Sequence, residues 1–122
     1  MPPTSNVVLI VEDDPDLRAL FRTALRSAGY AVVAVEDGLD ALKFAEQTVP
    51  AAVVLDLGLP RLAGQDVQRE LAADEATSQV PVIVVTGEPG DVDERGYACV
   101  LRKPIRPDEL VAAVQNCLRK QQ

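Results

Sequence analysis

Three stretches of this chain are apolar at every position or nearly so: Val7–Val11, Ala51–Leu55 and Val80–Val85. A strand with one wet face alternates apolar and polar residues, whereas these do not alternate. They read as strands buried on both faces, which requires a parallel sheet covered by helices on each side. Between them run segments with helical spacing. Asp14-Pro15 reads as a cap and first helical residue, followed by Leu17, Leu20, Phe21, Ala24, Leu25 and Ala28 on one stripe and by Gly29 as the stop. Tyr30–Val35 reads as a second strand, and Asp37-Gly38 opens a helix to about Gln47. A further helix falls around Gln65–Ala73. Ala98–Arg102 reads as a short fifth strand, and Pro107 starts the last helix, with Leu110, Ala113, Val114, Cys117 and Leu118 on one face.

Alternating strands and helices with right-handed crossovers predict an α/β, doubly wound, five-stranded parallel sheet. For five strands the common order is 2-1-3-4-5, with a ligand crevice at the carboxyl ends beside strands 1 and 3. The 122 residues are one domain's worth, with its core at about 6–120.

Composition narrows the chemistry. There is no histidine, which excludes Ser-His-Asp and Cys-His catalysis, histidine-ligated zinc and a phosphohistidine carrier. Cys99 and Cys117 are too far apart for a CxxC pair. Nothing resembles a disulfide scaffold, so a reducing cytoplasm is the expected setting. The net charge is −7 with no basic face or tail, so no nucleic-acid or anionic-membrane partner is expected for this chain. Residues 1–6 lack the basic region of a targeting signal, and no apolar run approaches bilayer length.

The expected topology brings five polar residues to one rim of the sheet. Strand 1 ends in Glu12-Asp13, strand 3 in Asp56, strand 4 in Thr86 and strand 5 in Lys103-Pro104. Singly, each has an ordinary reading: helix-end acids, a loop cap, a β-branched strand end, a solvated lysine. Together they all fall at carboxyl ends. Three converging carboxylates repel by roughly 3 kcal/mol per pair at ~5 Å and an effective dielectric of about 20. A hard divalent cation such as Mg²⁺ relieves that repulsion. A carboxylate beside it can become a nucleophile toward phosphorus, with Lys103 and the Thr86 hydroxyl neutralising the transferred group.

Val-Glu-Asp-Asp at 11–14, Leu-Asp-Leu-Gly-Leu-Pro at 55–60, Gly64, Pro-Val-Ile-Val-Val-Thr-Gly at 81–87 and Lys-Pro at 103–104 together resemble the receiver domain of two-component response regulators. Their order and spacing are specific where each alone is weak. The resemblance implies a flavodoxin-like fold. It implies Asp56 as phosphoacceptor, Asp13 as direct Mg²⁺ ligand and Glu12 as outer acidic partner. Gly58 would offer its carbonyl to the metal, Thr86 would be the switch hydroxyl and Lys103 the phosphate-binding lysine. The Lys103–Pro104 peptide is expected to be cis. The implied partner is a sensor histidine kinase or a histidine phosphotransfer protein, and the implied role is signalling rather than enzymatic turnover.

The chain departs from the family pattern in three places. Ala63 stands where many receivers carry Asp. Val100 replaces the usual aromatic switch. Only sixteen residues separate Thr86 from Lys103, and Gly87–Gly96 has almost no apolar stripe, so the helix between strands 4 and 5 is expected to be very short or missing. Two other readings compete. A haloacid-dehalogenase-type phosphatase also forms an aspartyl phosphate but needs an Asp two residues after the nucleophile, where this chain has Gly58. A pseudo-receiver adaptor would not be phosphorylated, and the full acidic set argues against it.

Overall fold

A computed structural model describes residues 5–120. Met1–Thr4, part of the stretch read as free of a targeting signal, lies outside the described residues. The elements in chain order are β1 (Val7–Val11), α1 (Pro15–Ser27), β2 (Ala31–Val35), α2 (Gly38–Gln47), β3 (Ala52–Leu55), α3 (Gly64–Ala73), β4 (Val82–Thr86), β5 (Cys99–Arg102) and α4 (Pro107–Lys120). The sheet is all-parallel in the order β2-β1-β3-β4-β5, as the alternation predicts. No helix among the described residues is long and apolar enough to cross a membrane.

The central strands are apolar at consecutive positions because both faces are packed. Val8 and Ile10 of β1 point toward α1 and α4, joining Phe21, Leu25, Leu110 and Val114. Leu9 and Val11 point the other way, toward α2 and α3, joining Ala41, Ala45, Val67 and Leu71. The period-two alternation of a strand thus feeds two separate cores. Burying side chains such as Phe21 and Leu25 contributes on the order of 1.5–3 kcal/mol each.

Local signals set the element ends. Asp14 caps α1, its Oδ1 accepting from the N–H groups of Asp16 (2.9 Å) and Leu17 (3.3 Å). Gly29 closes that helix with φ 101°, a left-handed conformation that glycine adopts without strain. Asp37 caps α2 by accepting from Asp40 N–H at 2.9 Å. Four strands, β2 to β5, begin a residue or two later than the runs read from the sequence. In β4 the cause is Pro81, which has no N–H to give the ladder, although its carbonyl still accepts from Val53. Helix α3 begins at Gly64 without a side-chain cap, because Ala63 fills the cap position.

Between β4 and β5 the described chain forms no helix. The sequence expectation for Gly87–Gly96 is met: Gly87, Pro89 and Gly90 oppose a helix, and Val92 is its only apolar residue. The Lys103–Pro104 peptide is cis.

Candidate functional site

The carboxyl ends of β1, β3, β4 and β5 meet at one rim, and the chain places its polar residues there. Glu12 and Asp13 directly follow β1, Asp56 directly follows β3, Thr86 closes β4 and Lys103 follows β5. Pairing of Val11 with Leu55 in the parallel register puts the Glu12-Asp13 and Asp56 turns side by side. Glu12, Asp13 and Asp56 each offer a carboxylate oxygen within 4.8 Å of the others. Glu12, Asp56 and Thr86 are buried, whereas Asp13 faces solvent.

Lys103 supplies the opposing charge. Its Nζ lies 2.8 Å from Glu12 Oε1 and 3.4 Å from Asp56 Oδ2. The contact to Glu12 is one of charge rather than of aligned hydrogen bonding, since Oε1 is buried with no well-directed donor. The other oxygen, Oε2, accepts from Asp14 N–H at 3.2 Å. Burial pushes the Glu12 carboxyl up to about 7; the Asp56 charge adds to this, while Lys103 and the Asp14 N–H oppose it. For Lys103, burial works against the ammonium, but its pairing with Glu12 and Asp56 outweighs that and raises its pKa.

The remaining predicted residues frame this cluster. Gly58 N–H donates to Asp56 Oδ1 at 3.1 Å. Thr86 Oγ1 accepts from Glu88 N–H at 3.1 Å. Gly64 lets the chain return tightly under Asp56: a Cβ there would lie 2.6 Å from the Asp56 carbonyl oxygen and 2.7 Å from Leu57 Cα. All six residues expected at the site therefore lie on one rim.

The sequence reading did not single out three supporting arginines. Arg18 Nη1 donates to the carbonyls of Glu12 (3.0 Å) and Asp13 (3.3 Å), tying the acidic turn to α1. Arg61, with φ 65°, pairs with Asp37 and joins the loop after β3 to the start of α2. Arg102 donates to the carbonyls of Glu88 (2.9 Å) and Gly90 (2.5 Å). Arg61 and Arg102 bridge segments 12 to 24 residues apart, Arg18 reaches back five or six residues, and none carries a local sequence signal.

The sequence model of the family described as response regulator receiver domain matches residues 8–115. The chain belongs to the response regulator receiver domain family. Receiver domains are signalling modules of two-component systems and not enzymes in the ordinary sense, so the phosphatase alternative falls. The receiver is 38% identical over 118 residues to the DNA-binding response regulator MtrA of Mycolicibacterium smegmatis, a match covering 93% of this chain and 50% of that protein. The chain thus spans about half the length of the curated relatives it matches.

Solved receivers superpose closely. The receiver domain of sensor histidine kinase PA1611 from Pseudomonas aeruginosa PAO1, whose structure has a magnesium ion coordinated in the active site cleft, aligns with TM-score 0.86 and 32% identity over 95% of this chain and 99% of that one. A sensor protein from Polaromonas sp. JS666 aligns with TM-score 0.87 and 25% identity over 99% and 100%. The flavodoxin-like fold expected from the sequence is the fold observed.

Proposed function

We propose that this receiver accepts a phosphoryl group on Asp56 in a Mg²⁺-dependent reaction, from a phosphohistidine on a sensor kinase or phosphotransfer protein. The observation that carries this reading is the convergence of Glu12, Asp13 and Asp56 within 4.8 Å, with Lys103, among the described residues, as the cation in ion-pair contact with Glu12 and Asp56. In the transfer, a carboxylate oxygen of Asp56 forms a bond to phosphorus. The bond between phosphorus and the donor's histidine nitrogen breaks, and the electron pair stays on nitrogen.

The donor set fits a small hard cation. It is all oxygen, it is anionic, and the buried Glu12 Oε1 lacks a directed donor. Asp13 and Asp56 would hold Mg²⁺ directly with the Gly58 carbonyl, and Glu12 would act from the outer side. Bound there, the ion would supply positive charge to the phosphoryl oxygens. Lys103, already beside Asp56, would take one phosphoryl oxygen, and the Thr86 hydroxyl would donate to another. Asp56 is 7% exposed, so little of its carboxylate is open to an incoming group.

Incubation with acetyl phosphate and Mg²⁺, read by intact mass, tests this. Asp56→Asn is expected to take up no phosphoryl group while keeping the native fold, and Asp13→Ala to lose most of the Mg²⁺ dependence. Full labelling of Asp56→Asn would overturn the assignment. Failure of the wild-type chain to label would favour the adaptor reading instead.

A further inference from the structure

The loop that carries Gly58 doubles back on itself before α3. At its base Gly64 N–H donates to the Leu57 carbonyl at 3.1 Å. Near its tip Leu62 N–H donates to the Pro60 carbonyl at 2.7 Å. That bond spans two residues around Arg61, whose φ is 65°. A γ-turn of this hand is rare and strained. A side chain other than glycine keeps it only where the surroundings enforce it. Here the start of α2 does so. The Arg61 guanidinium pairs with the buried Asp37 carboxylate and reaches Asp40 Oδ1 at 3.7 Å. Next to the pair, helix and loop touch closely: a Cβ added to Gly38 would lie 2.6 Å from the Leu62 carbonyl oxygen.

The same end of α2 is tied to the other side of the acidic site. Asp37 follows β2 after Glu36 alone, and the carbonyl of Val35, the last residue of β2, accepts from Glu12 N–H at 3.1 Å. The links therefore close into a ring. It runs from the Glu12-Asp13 turn to the end of β2, to Asp37, across to Arg61 and back along the loop to Gly58 and Asp56. Asp13 lies on one arm of this ring and Gly58 on the other. A cavity lined by Asp13, Glu36, Asp37, Pro60 and Arg61 opens between the arms. The ion pair of Arg61 with Asp37 is the side-chain link between them.

We propose that Arg61 is a positioning residue for the metal: through its pair with Asp37 it holds the strained turn after Gly58 and so fixes where Gly58 stands relative to Asp13. This rests on the Mg²⁺-dependent reading above and adds to it what sets the affinity for the ion. The sign of the effect separates positioning from charge. A cation beside an Mg²⁺ site repels the ion, so on Coulomb grounds alone its removal strengthens binding. A residue that keeps ligands from two loops in place does the opposite, and its removal weakens binding.

Calorimetric Mg²⁺ titration of three variants tests this. Arg61→Gly removes the pair and leaves a residue that adopts positive φ freely, so the turn itself can still form. Asp37→Asn loses the charge of the pair while an amide oxygen can still cap α2. Arg61→Gly is expected to weaken Mg²⁺ binding about tenfold, the low end for residues that orient metal ligands. Arg61→Lys, which can still reach Asp37 but lacks the planar fork, should recover part of that loss. In the double variant Asp37→Asn should add nothing to Arg61→Gly. Labelling by acetyl phosphate should show the same split: half-saturation by Mg²⁺ shifts upward about tenfold in Arg61→Gly, while the rate at saturating Mg²⁺ stays within about twofold of wild type. Mg²⁺ binding in Arg61→Gly as tight as in wild type, or tighter, overturns the inference, as does a further loss in the double variant. These outcomes leave Mg²⁺ binding by wild type intact, whereas its absence in wild type overturns the underlying reading and the inference together.

Discussion

Lys103 Nζ lies 2.8 Å from Glu12 Oε1, joining the residue after the last strand to the residue after the first. Glu12 belongs to the acidic cluster, and Lys103 also contacts Asp56 at 3.4 Å, so Lys103 both relieves the carboxylates and competes with any other cation for them. Lys103→Met should therefore bind Mg²⁺ about tenfold more tightly, the scale of removing one positive charge near the site. The same variant should label with acetyl phosphate more slowly than wild type. Calorimetric Mg²⁺ titration and labelling kinetics should move in opposite directions; Mg²⁺ binding weaker than wild type would show that Lys103 organises the carboxylates rather than competes for them.

Gly64 is fixed by close approach rather than by backbone conformation. A methyl group there meets backbone at 2.6 and 2.7 Å, and backbone cannot rotate aside as a side chain can. Gly64→Ala is expected to destabilise the domain by about 1–3 kcal/mol, the usual scale of overpacking. It should also displace the turn carrying Asp56. Urea unfolding measures the first effect, and an unchanged midpoint would mean that the turn after β3 yields easily.

Asp37 gives a pH dependence of known sign. Its carboxylate is held below the ordinary value of 3.8, first by the Asp40 N–H it caps and then by Arg61. A folded-state pKa below the unfolded one means that the unfolded chain binds the proton more readily. The stabilisation is full above the unfolded value and disappears as pH falls through the folded one. Wild type should accordingly exceed Asp37→Ala in stability at neutral pH, with the gap closing below about pH 4. A gap that stays constant down to pH 3 would assign the effect to packing instead.

Residues 87–97 have few apolar anchors: Val92 and Tyr97 are half-buried, and Glu88, Asp91, Asp93 and Glu94 face solvent. Such a segment opens at low cost. On the phosphoryl-accepting reading, drawing Thr86 toward a phosphoryl oxygen alters its bond to Glu88 N–H and orders or releases this segment. With Val100 where an aromatic switch would stand, this is the expected route of response. Hydrogen exchange with and without beryllofluoride should change protection mainly in 87–97; unchanged protection there with a change on another face would place the signal elsewhere.

Much of this protein is legible one segment at a time. Unbroken runs such as Val7–Val11 demand burial on two faces, Asp14-Pro15 and Asp37-Gly38 start helices, and Gly29 ends one, because these effects act over a few residues. The cluster of Glu12, Asp13, Asp56, Thr86 and Lys103 was legible as well, since a parallel sheet puts every strand's carboxyl end on one rim. What the chain alone did not reveal are contacts that depend on register and side-chain reach: the Arg102 fork on the Glu88 and Gly90 carbonyls, the Arg18 tether on the acidic turn and the Arg61–Asp37 pair. An exposed arginine has many reachable partners and no local signature for any of them. Only the tertiary structure, by pairing Thr86 with Arg102 across neighbouring strands, decided which carbonyls it would hold.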